Sequence, residues 1–517
     1  MHLTQPGVSR HWKVRDHLTP GSPQVQSAGP EPSRAERIIP RAAACFFTAV
    51  ILLYAGFIGI SNWAADEYDD FGRLAREGWH EVWYRLRWSP RPISEPLFLF
   101  YGWTVNQLRR PLITPFLGFL WCVFLFAGLW TYWQAGRERR PHREWATPEL
   151  LLCLALMASF VSGGSMTEVF YWPAGAVNCL LTLAATLLLF LQTIHGRLAT
   201  PSGRRIAGAC LMVAACSNEM GASLVLVYAV VQVSARAARW RTSASRGPVT
   251  WWLAPAIVAG LVIVGLQAFR MGVTERPVAR AGENGLGSLV MLGLRALSSE
   301  VLGLSFRPDG RIILSGRLLS EVLIALGIAL CWSRLRKSSR EVGWDTAVLA
   351  VALLLSTVLT IAASEVKFHA VCCSRHETMR RCWILMCLAG VAIAIFGPRW
   401  LEGLRQRSAI LLASLLLCMG VIVAWHVKPE LGEYRNYAAT YHALHENFRS
   451  GFNPHDNRMT FLLLPPGGII YQQQVPPGVY HRDQPGPAYV QYVLRFFNKQ
   501  TMVVRSAQEW MGKPGPQ

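Results

Sequence analysis

AAACFFTAVILLYAGFIGIS, residues 42–61, is followed at once by NWAADEYDDF, residues 62–71. The first run has the length and composition of a membrane-spanning helix, which needs about 20 apolar residues to cross the hydrocarbon layer. The second run places four carboxylates within residues 66–70. A membrane helix that opens directly onto this much acid indicates either a solvated loop that helps to orient the span or a functional surface at its mouth.

The rest of the chain repeats the apolar pattern. Of its 517 residues, 52% are hydrophobic and 16% are charged, and the hydrophobic residues come in blocks. We therefore predict an all-α polytopic membrane protein with about 11 transmembrane helices. The predicted spans are 42–61, 112–134, 148–163, 174–194, 206–217, 221–235, 249–268, 318–332, 345–364, 382–397 and 408–425.

The charge pattern predicts the orientation of these spans. The net charge of +20 comes largely from Arg residues grouped in short loops after every second span. Such loops stay in the cytoplasm, so the N-terminus is expected to be cytoplasmic and the C-terminus extracytoplasmic. Nucleic-acid binding is disfavoured, because this distribution reports topology.

Three regions follow from the pattern. Residues 1–41 are predicted to be a disordered cytoplasmic tail, and residues 42–425 a transmembrane domain with a long outer loop at 62–111. In that loop Trp79, Trp83 and Trp88 predict an amphipathic helix at the membrane interface. Residues 426–517 are predicted to form a small mixed extracytoplasmic segment, with a helix at 434–448 and strands in RMTFLLLPPG, GGIIYQQQV and QTMVVRS.

Two further acids interrupt apolar sequence. Glu168 lies in GGSMTEVFYWPAG, where Tyr171 and Trp172 favour either sugar stacking or an aromatic belt. Glu219 follows Asn218 between two short apolar runs, which predicts a hairpin of short helices with its tip in a cavity. A single tilted helix with a structurally hydrogen-bonded Glu219 is the alternative.

A basic cluster lies on the predicted outer side, in SEVKFHAVCCSRHETMRRCW. Arg side chains there favour an anionic partner such as phosphate, through bidentate contacts. The alternative is contact with lipid headgroups or pairing with Glu365 and Glu377. The chain has no Walker, zinc-ligand or GxSxG motif.

The acidic motif resembles that of a known family. The run Asp69-Asp70-Phe71-Gly72-Arg73, then Gly78-Trp79 and Arg91-Pro92, is similar to the first outer loop of GT-C integral-membrane glycosyltransferases, particularly bacterial Gtr-type O-antigen glucosyltransferases. Ser89-Pro90 stands where that pattern has a Gly before the Arg.

The resemblance implies inverting sugar transfer from a polyprenyl-phosphate-linked donor to a cell-envelope glycan or lipid, at the outer face of the bacterial inner membrane. Asp69 or Asp70 would be the general base, with Asp66 or Glu67 as substitutes. The partners would be the bilayer, the lipid-linked sugar and the acceptor, with no cofactor predicted and a divalent metal left open. Sugar or acceptor would be bound by Asp66, Glu168, Tyr171, Trp172, Asn218 and Glu219, and the phosphate by Arg91, Arg375, His376, Arg380 and Arg381.

Three other readings remain open at this point. A lipid-linked oligosaccharide flippase or secondary transporter would also use broken helices and buried acids, but near mid-membrane. A polysaccharide polymerase or ligase would place Arg and His in large outer loops, for which 269–317 and 365–381 are available. A non-catalytic membrane scaffold is the third reading.

Overall fold

The computed structural model describes most of the chain between residues 34 and 507. The described ranges are 34–137, 148–163, 167–240, 251–274, 317–333, 340–368, 374–395, 408–465 and 474–507, with short pieces at 304–306, 312–314 and 467–470 and a few isolated positions. Residues 1–33 of the predicted tail and most of the outer loop 269–317 lie outside them.

The described chain is mostly helical, and every predicted span falls on a helix. In order, the helices of this part are α1 (Arg34–Gly56), α2 (Ala65–Glu77), α3 (His80–Trp88), α4 (Ser94–Leu108), α5 (Ile113–Arg137), α6 (Pro148–Ser162), α7 (Pro173–Ile194), α8 (Pro201–Ser217), α9 (Glu219–Trp240), α10 (Ala254–Thr274), α11 (Arg317–Ser333), α12 (Arg340–Phe368), α13 (Ser374–Ile395) and α14 (Ser408–Arg435). A short antiparallel pair, β1 (Leu304–Phe306) and β2 (Ile312–Leu314), lies between α10 and α11.

Seven helices of the described residues are long and apolar enough to cross a membrane. They indicate a membrane-embedded, multi-pass protein. These are α1, α5, α7, α9, α10, α12 and α13. The predicted spans at 148–163, 206–217, 318–332 and 408–425 are helical as well, on α6, α8, α11 and α14.

Helix α7 forms the centre of the bundle. In its apolar core window, 94% of residues are buried, and it packs against α5 and α8. Its threonine hydroxyls find partners within the helix: Thr182 donates to the carbonyl of Asn178, and Thr186 to that of Thr182. Since buried hydroxyls need partners, this local pairing lets a central helix carry them.

The outer segment 62–111 folds into α2, α3 and α4, and α3 is a helix where an amphipathic helix was predicted, whereas α2 and α4 were not predicted. Gly102 of α4 lets α2 approach closely: a Cβ there would lie 2.2 Å from the Phe71 ring. The acidic cluster therefore lies on a packed helix, with defined faces.

Helix boundaries also differ from prediction at two other places. Residues 34–41 belong to α1, and the predicted outer loop 365–381 is largely helical: α12 continues to Phe368 and α13 begins at Ser374. Charged side chains at helix ends were read as loop, although helices commonly carry them into the headgroup region.

The C-terminal region joins the bundle through α14. It contains α15 (Tyr437–Gly451), β3 (Arg458–Leu463), β4 (Gly478–His481), α16 (Ala488–Phe497) and β5 (Thr501–Ser506). The sheet order is β3-β5-β4, with β3 parallel and β4 antiparallel to β5. Strands β3 and β5 confirm two predicted strands. GGIIYQQQV is not a strand in its described residues, and α16, which packs against α2, was missed.

Candidate functional site

Helix α2 separates its acids onto two faces. Asp66, Asp69, Asp70 and Arg73 follow helical spacing along one side, whereas Glu67 points to the other. Acids in the first turn suit the positive end of the helix dipole. The fold therefore gives adjacent carboxylates different surroundings.

Asp70 lies at the centre of a chain of ion pairs. On α2, Arg73 Nη2 lies 2.8 Å from Asp70 Oδ1 and 3.1 Å from Asp69 Oδ2. From α3, Arg85 Nη1 lies 3.2 Å from Asp70 Oδ2. Asp70 is buried, and this burial raises its pKa to about 7, although Arg85 and Arg73 oppose the shift. The Asp70 carboxylate is therefore shielded from solvent.

The chain of ion pairs continues from α3 to the α8–α9 hairpin. Arg85 Nη2 lies 3.0 Å from Glu95 Oε2, and Arg91 Nη1 lies 3.4 Å from Glu95 Oε1. Arg91 Nη2 is in turn 2.9 Å from Glu219 Oε2, and Gln267 of α10 donates to Glu219 Oε1 at 2.6 Å. Each charged side chain named here is thus paired with an opposite charge, as partly buried charges require.

Two hydrogen bonds hold the start of α4 against the α8–α9 hairpin. The amide of Ile93 donates to the carbonyl of Cys216 at 3.1 Å, and the Ser94 hydroxyl donates to the carbonyl of Ser217 at 2.8 Å. These carbonyls end α8 and would otherwise lack partners. Extended Asn218 then separates α8 from α9, so the predicted hairpin, and not a single tilted helix, is present.

Glu67 is fully buried on the opposite side of α2 and joins two helix N-termini. Its carboxylate accepts from the amides of Ala64 at 2.9 Å and Ala174 at 3.0 Å, and from the indole of Trp172 at 3.0 Å. Burial raises the pKa of Glu67 to about 8, while these three donors favour the ionised form. These three hydrogen bonds join α2 to the start of α7 and engage both oxygens of the Glu67 carboxylate.

A second group lies above Trp172. The π-helical turn Thr167–Tyr171 carries Glu168, and such turns often occur at functional sites. The backbone amide of Arg375 donates to Glu168 Oε2 at 3.3 Å, and the Arg375 guanidinium lies 5.5 Å from the Trp172 ring centroid, a cation–π distance. Glu168 and Arg375 are thus adjacent.

These two groups are linked to each other through α2. Trp172 donates to Glu67 of α2, and α2 also carries Asp69 and Asp70 of the chain of ion pairs. On the other side, His376 follows Arg375 on α13 and adds positive charge in the neighbourhood of Glu219. We call this set the charged ring: Asp66, Asp69, Asp70, Arg73, Arg85, Glu95, Arg91, Glu219, Gln267, His376, Arg375, Glu168, Trp172 and Glu67.

Within the ring, Asp66 is the exposed carboxylate of α2. Its charge acts on Asp70, Glu67 and Arg85, so it lies close to all three. The Asp69 side chain is 25% exposed and paired with Arg73. Of the α2 carboxylates in the ring, Asp66 and Asp69 are therefore the two that an external molecule can reach.

Several predicted site residues have other surroundings. Tyr171 is buried and donates to the carbonyl of Tyr54 at 2.8 Å. Buried Asn218 accepts from the amide of Met220 at 2.9 Å and so caps α9. Arg380 is fully buried, and Arg381 pairs with Glu377 on the same helix. All four were predicted to contact sugar or phosphate, but Tyr171, Asn218 and Arg380 are buried, and the partly exposed Arg381 is engaged by Glu377.

Sequence reasoning missed Arg73, Arg85, Glu95 and Gln267 as members of the site. The i, i+3 and i+4 spacing of Asp69, Asp70 and Arg73 is a signal that could have found one of them. Pairing across α3, α4 and α10 leaves no such signal. In the described part of the chain, no group of three or more His, Cys, Asp or Glu side chains is arranged to hold a metal ion.

Comparison with protein-family models, curated proteins and solved structures finds no match to this chain. The functional argument therefore depends on the charged ring itself.

Proposed function

We propose that the protein is a membrane glycosyltransferase that takes its sugar from a polyprenyl-phosphate-linked donor and acts outside the cytoplasm, in the manner of GT-C enzymes. The observation that carries the proposal is the charged ring, which links α2, the helix of Asp66 and Asp69, to Glu219 by ion pairs and to Arg375 through Glu67 and Trp172. Sugar transfer from a lipid phosphate needs both a base and positive charge.

In this proposal Asp66 is the base, with Asp69 beside it. The carboxylate takes the proton of the acceptor hydroxyl, and the oxygen attacks the anomeric carbon from the face opposite the phosphate. The bond between that carbon and the phosphate oxygen breaks, and polyprenyl phosphate leaves. Attack from the opposite face inverts the anomeric configuration.

Arg375 and His376 would stabilise the leaving phosphate. Both are partly exposed at the start of α13, where backbone amides add positive potential. Arg91 is already engaged by Glu95 and Glu219, so we assign it to positioning. Glu168, next to Arg375, is placed to bind sugar or acceptor hydroxyls.

The positions of the acids favour an enzyme over a transporter. Glu219 is the first residue of α9, Glu168 precedes α7, and Asp66 lies between the membrane-length helices α1 and α5. Transporter sites gather at broken helices near the bilayer midplane. Acids at helix ends instead suit a reaction at the membrane surface.

Transfer assays in membranes supplied with polyprenyl-phosphate sugars test the proposal. Asp66→Asn should lower the transfer rate by about 10²–10⁴-fold, the usual contribution of a general base. Asp483→Asn, at an exposed carboxylate of the C-terminal region, is the matched control and should leave transfer unchanged. Full transfer by both Asp66→Asn and Asp69→Asn would refute the assignment.

A further inference from the structure

Helix α3 exposes aromatic side chains on its outward face and carries charged side chains on its inward face. Its outward positions, 80, 83, 84, 87 and 88, follow helical spacing and carry His, Trp, Tyr, Arg and Trp. Trp83 is 74% exposed, and Trp79, just before the helix, is 57% exposed. Large aromatic side chains rarely stand this far out of a protein surface without a partner.

The inward face carries charge. The Glu81 side chain is fully buried, with Oε1 at 3.5 Å from Arg73 Nε. Arg85, one turn later, is committed to Asp70 and Glu95. A surface helix in water normally buries its apolar stripe and exposes its charges. Helix α3 does the reverse, so its outer side is suited to a medium less polar than water.

The chain places this face close to the membrane-embedded part. Five residues after Trp88, Ile93 is bonded to the end of α8, beside the start of the membrane-length helix α9. Five residues reach at most about 18 Å. Trp88, at the end of α3, therefore lies within about 18 Å of Ile93, on the side of the protein where α9 begins.

The side chains themselves match the membrane interface. Trp and Tyr concentrate at the headgroup level, where their rings meet lipid and their polar groups meet water. Arg87 and His80 on the same stripe can contact headgroup phosphates. A protein partner would be expected to supply charges that complement the stripe, and the short reach to α9 favours lipid.

We propose that α3 is a monotopic interfacial helix that places Trp79 and Trp83 in the headgroup region while Arg85 holds it to the charged ring. The bilayer then forms one wall of the site. The inference does not depend on glycosyl transfer, because membrane contact can be measured without activity.

The test uses the full chain in phospholipid nanodiscs. A fluorescent amino acid sensitive to its surroundings is incorporated at position 83, and in a matched protein at position 77, where Glu77 is exposed at the end of α2. We expect phospholipids brominated near the headgroup to quench the probe at 83, with little quenching by aqueous iodide. The probe at 77 should show the opposite pattern.

Two results would overturn the inference. Equal iodide quenching at 83 and 77 would show that α3 faces water. Protection of position 83 from both iodide and brominated lipid would show that a protein surface, such as a second copy, covers it. The fluorescence spectrum at 77 serves as the check that the labelled proteins are folded alike.

Discussion

Asp66 and Glu67 are neighbours in sequence but lie on different faces of α2 and have different surroundings. Asp66 is exposed within the charged ring, whereas Glu67 is buried against the start of α7. Helical geometry turns successive side chains by about 100°. The division of roles among the clustered acids is therefore set by which way each residue faces.

Glu67 should make the stability of the protein depend on pH. Its pKa is about 8 in the folded protein, against 4.5 for an ordinary Glu, so the folded state holds a proton that the unfolded state releases. The contribution of Glu67 to stability is therefore fully present below about pH 4.5 and is lost as the pH rises to about 8. Melting temperatures of purified protein across this range measure the effect.

Glu67→Gln serves as the comparison for that prediction. The Gln side chain cannot ionise. The variant therefore lacks the contribution of Glu67 to the pH dependence of stability, whatever pH-independent change in stability the substitution causes. If wild type and Glu67→Gln melt with identical pH dependence, then Glu67 does not titrate in this range.

The ion pair between Arg91 and Glu219 should couple the outer helices to the α8–α9 hairpin. Combining Arg91→Ala with Glu219→Ala in a double-mutant cycle should give an interaction energy between about 0.5 and 3 kcal/mol. Chemical unfolding followed by far-UV circular dichroism provides the energies.

An exposed pair supplies the control for this cycle. Arg449 and Glu446 on α15 lie 2.8 Å apart, and the Arg449 side chain is 79% exposed. Exposed pairs contribute about 0.2–1 kcal/mol, so this cycle should give the smaller value. A coupling for Arg91 and Glu219 no larger than the control would contradict the positioning role.

At the scale of elements, α2 is held between two other helices. On one side Phe71 packs on α4 over Gly102, and on the other Gly72 lies against Phe496 of α16. The ring of Trp63 contacts both sides, through Phe71 and Phe496. The orientation of the acidic face depends on these apolar contacts as much as on its ion pairs.

Gly102→Ala should displace α2 and weaken the protein. The new Cβ would lie 2.2 Å from Phe71 Cδ1, and the ring has little room to move because it is fully buried. Overpacking of this kind costs about 1–3 kcal/mol. Gly118→Ala on α5 meets nothing within 4 Å and should change stability by less than about 0.5 kcal/mol.

At the scale of the whole molecule, the C-terminal region forms part of the site's support. Helix α16 packs on α2, and the loop at 467–470 reaches the π-helical turn, where the Thr167 hydroxyl donates to the carbonyl of Gly468. Glu433 of α14 accepts from the amides of Ile469 and Ile470 and holds this loop in place. The C-terminal region therefore contacts both α2 and the π-helical turn, which carry different residues of the charged ring.

Phe496→Ala should loosen α2. Removing a buried Phe ring costs about 3–5 kcal/mol, and here the ring lies between α16 and α2. We expect faster tryptic cleavage after Arg76, which is exposed near the end of α2. Val479→Ala on β4, at a side chain 54% exposed, should leave the cleavage rate unchanged.

The sequence by itself determined the helical, membrane-embedded class, the positions of the predicted spans, and the concentration of acid after the first of them. These follow from local composition and spacing, because hydrocarbon thickness and helical rise constrain sequence directly. Tertiary structure decided the rest. It is the packing of the helices that buries Asp70 and leaves Asp66 exposed. The same packing brings Arg85, Glu95 and Gln267 to the site, and pairing between distant helices leaves no local pattern in the sequence.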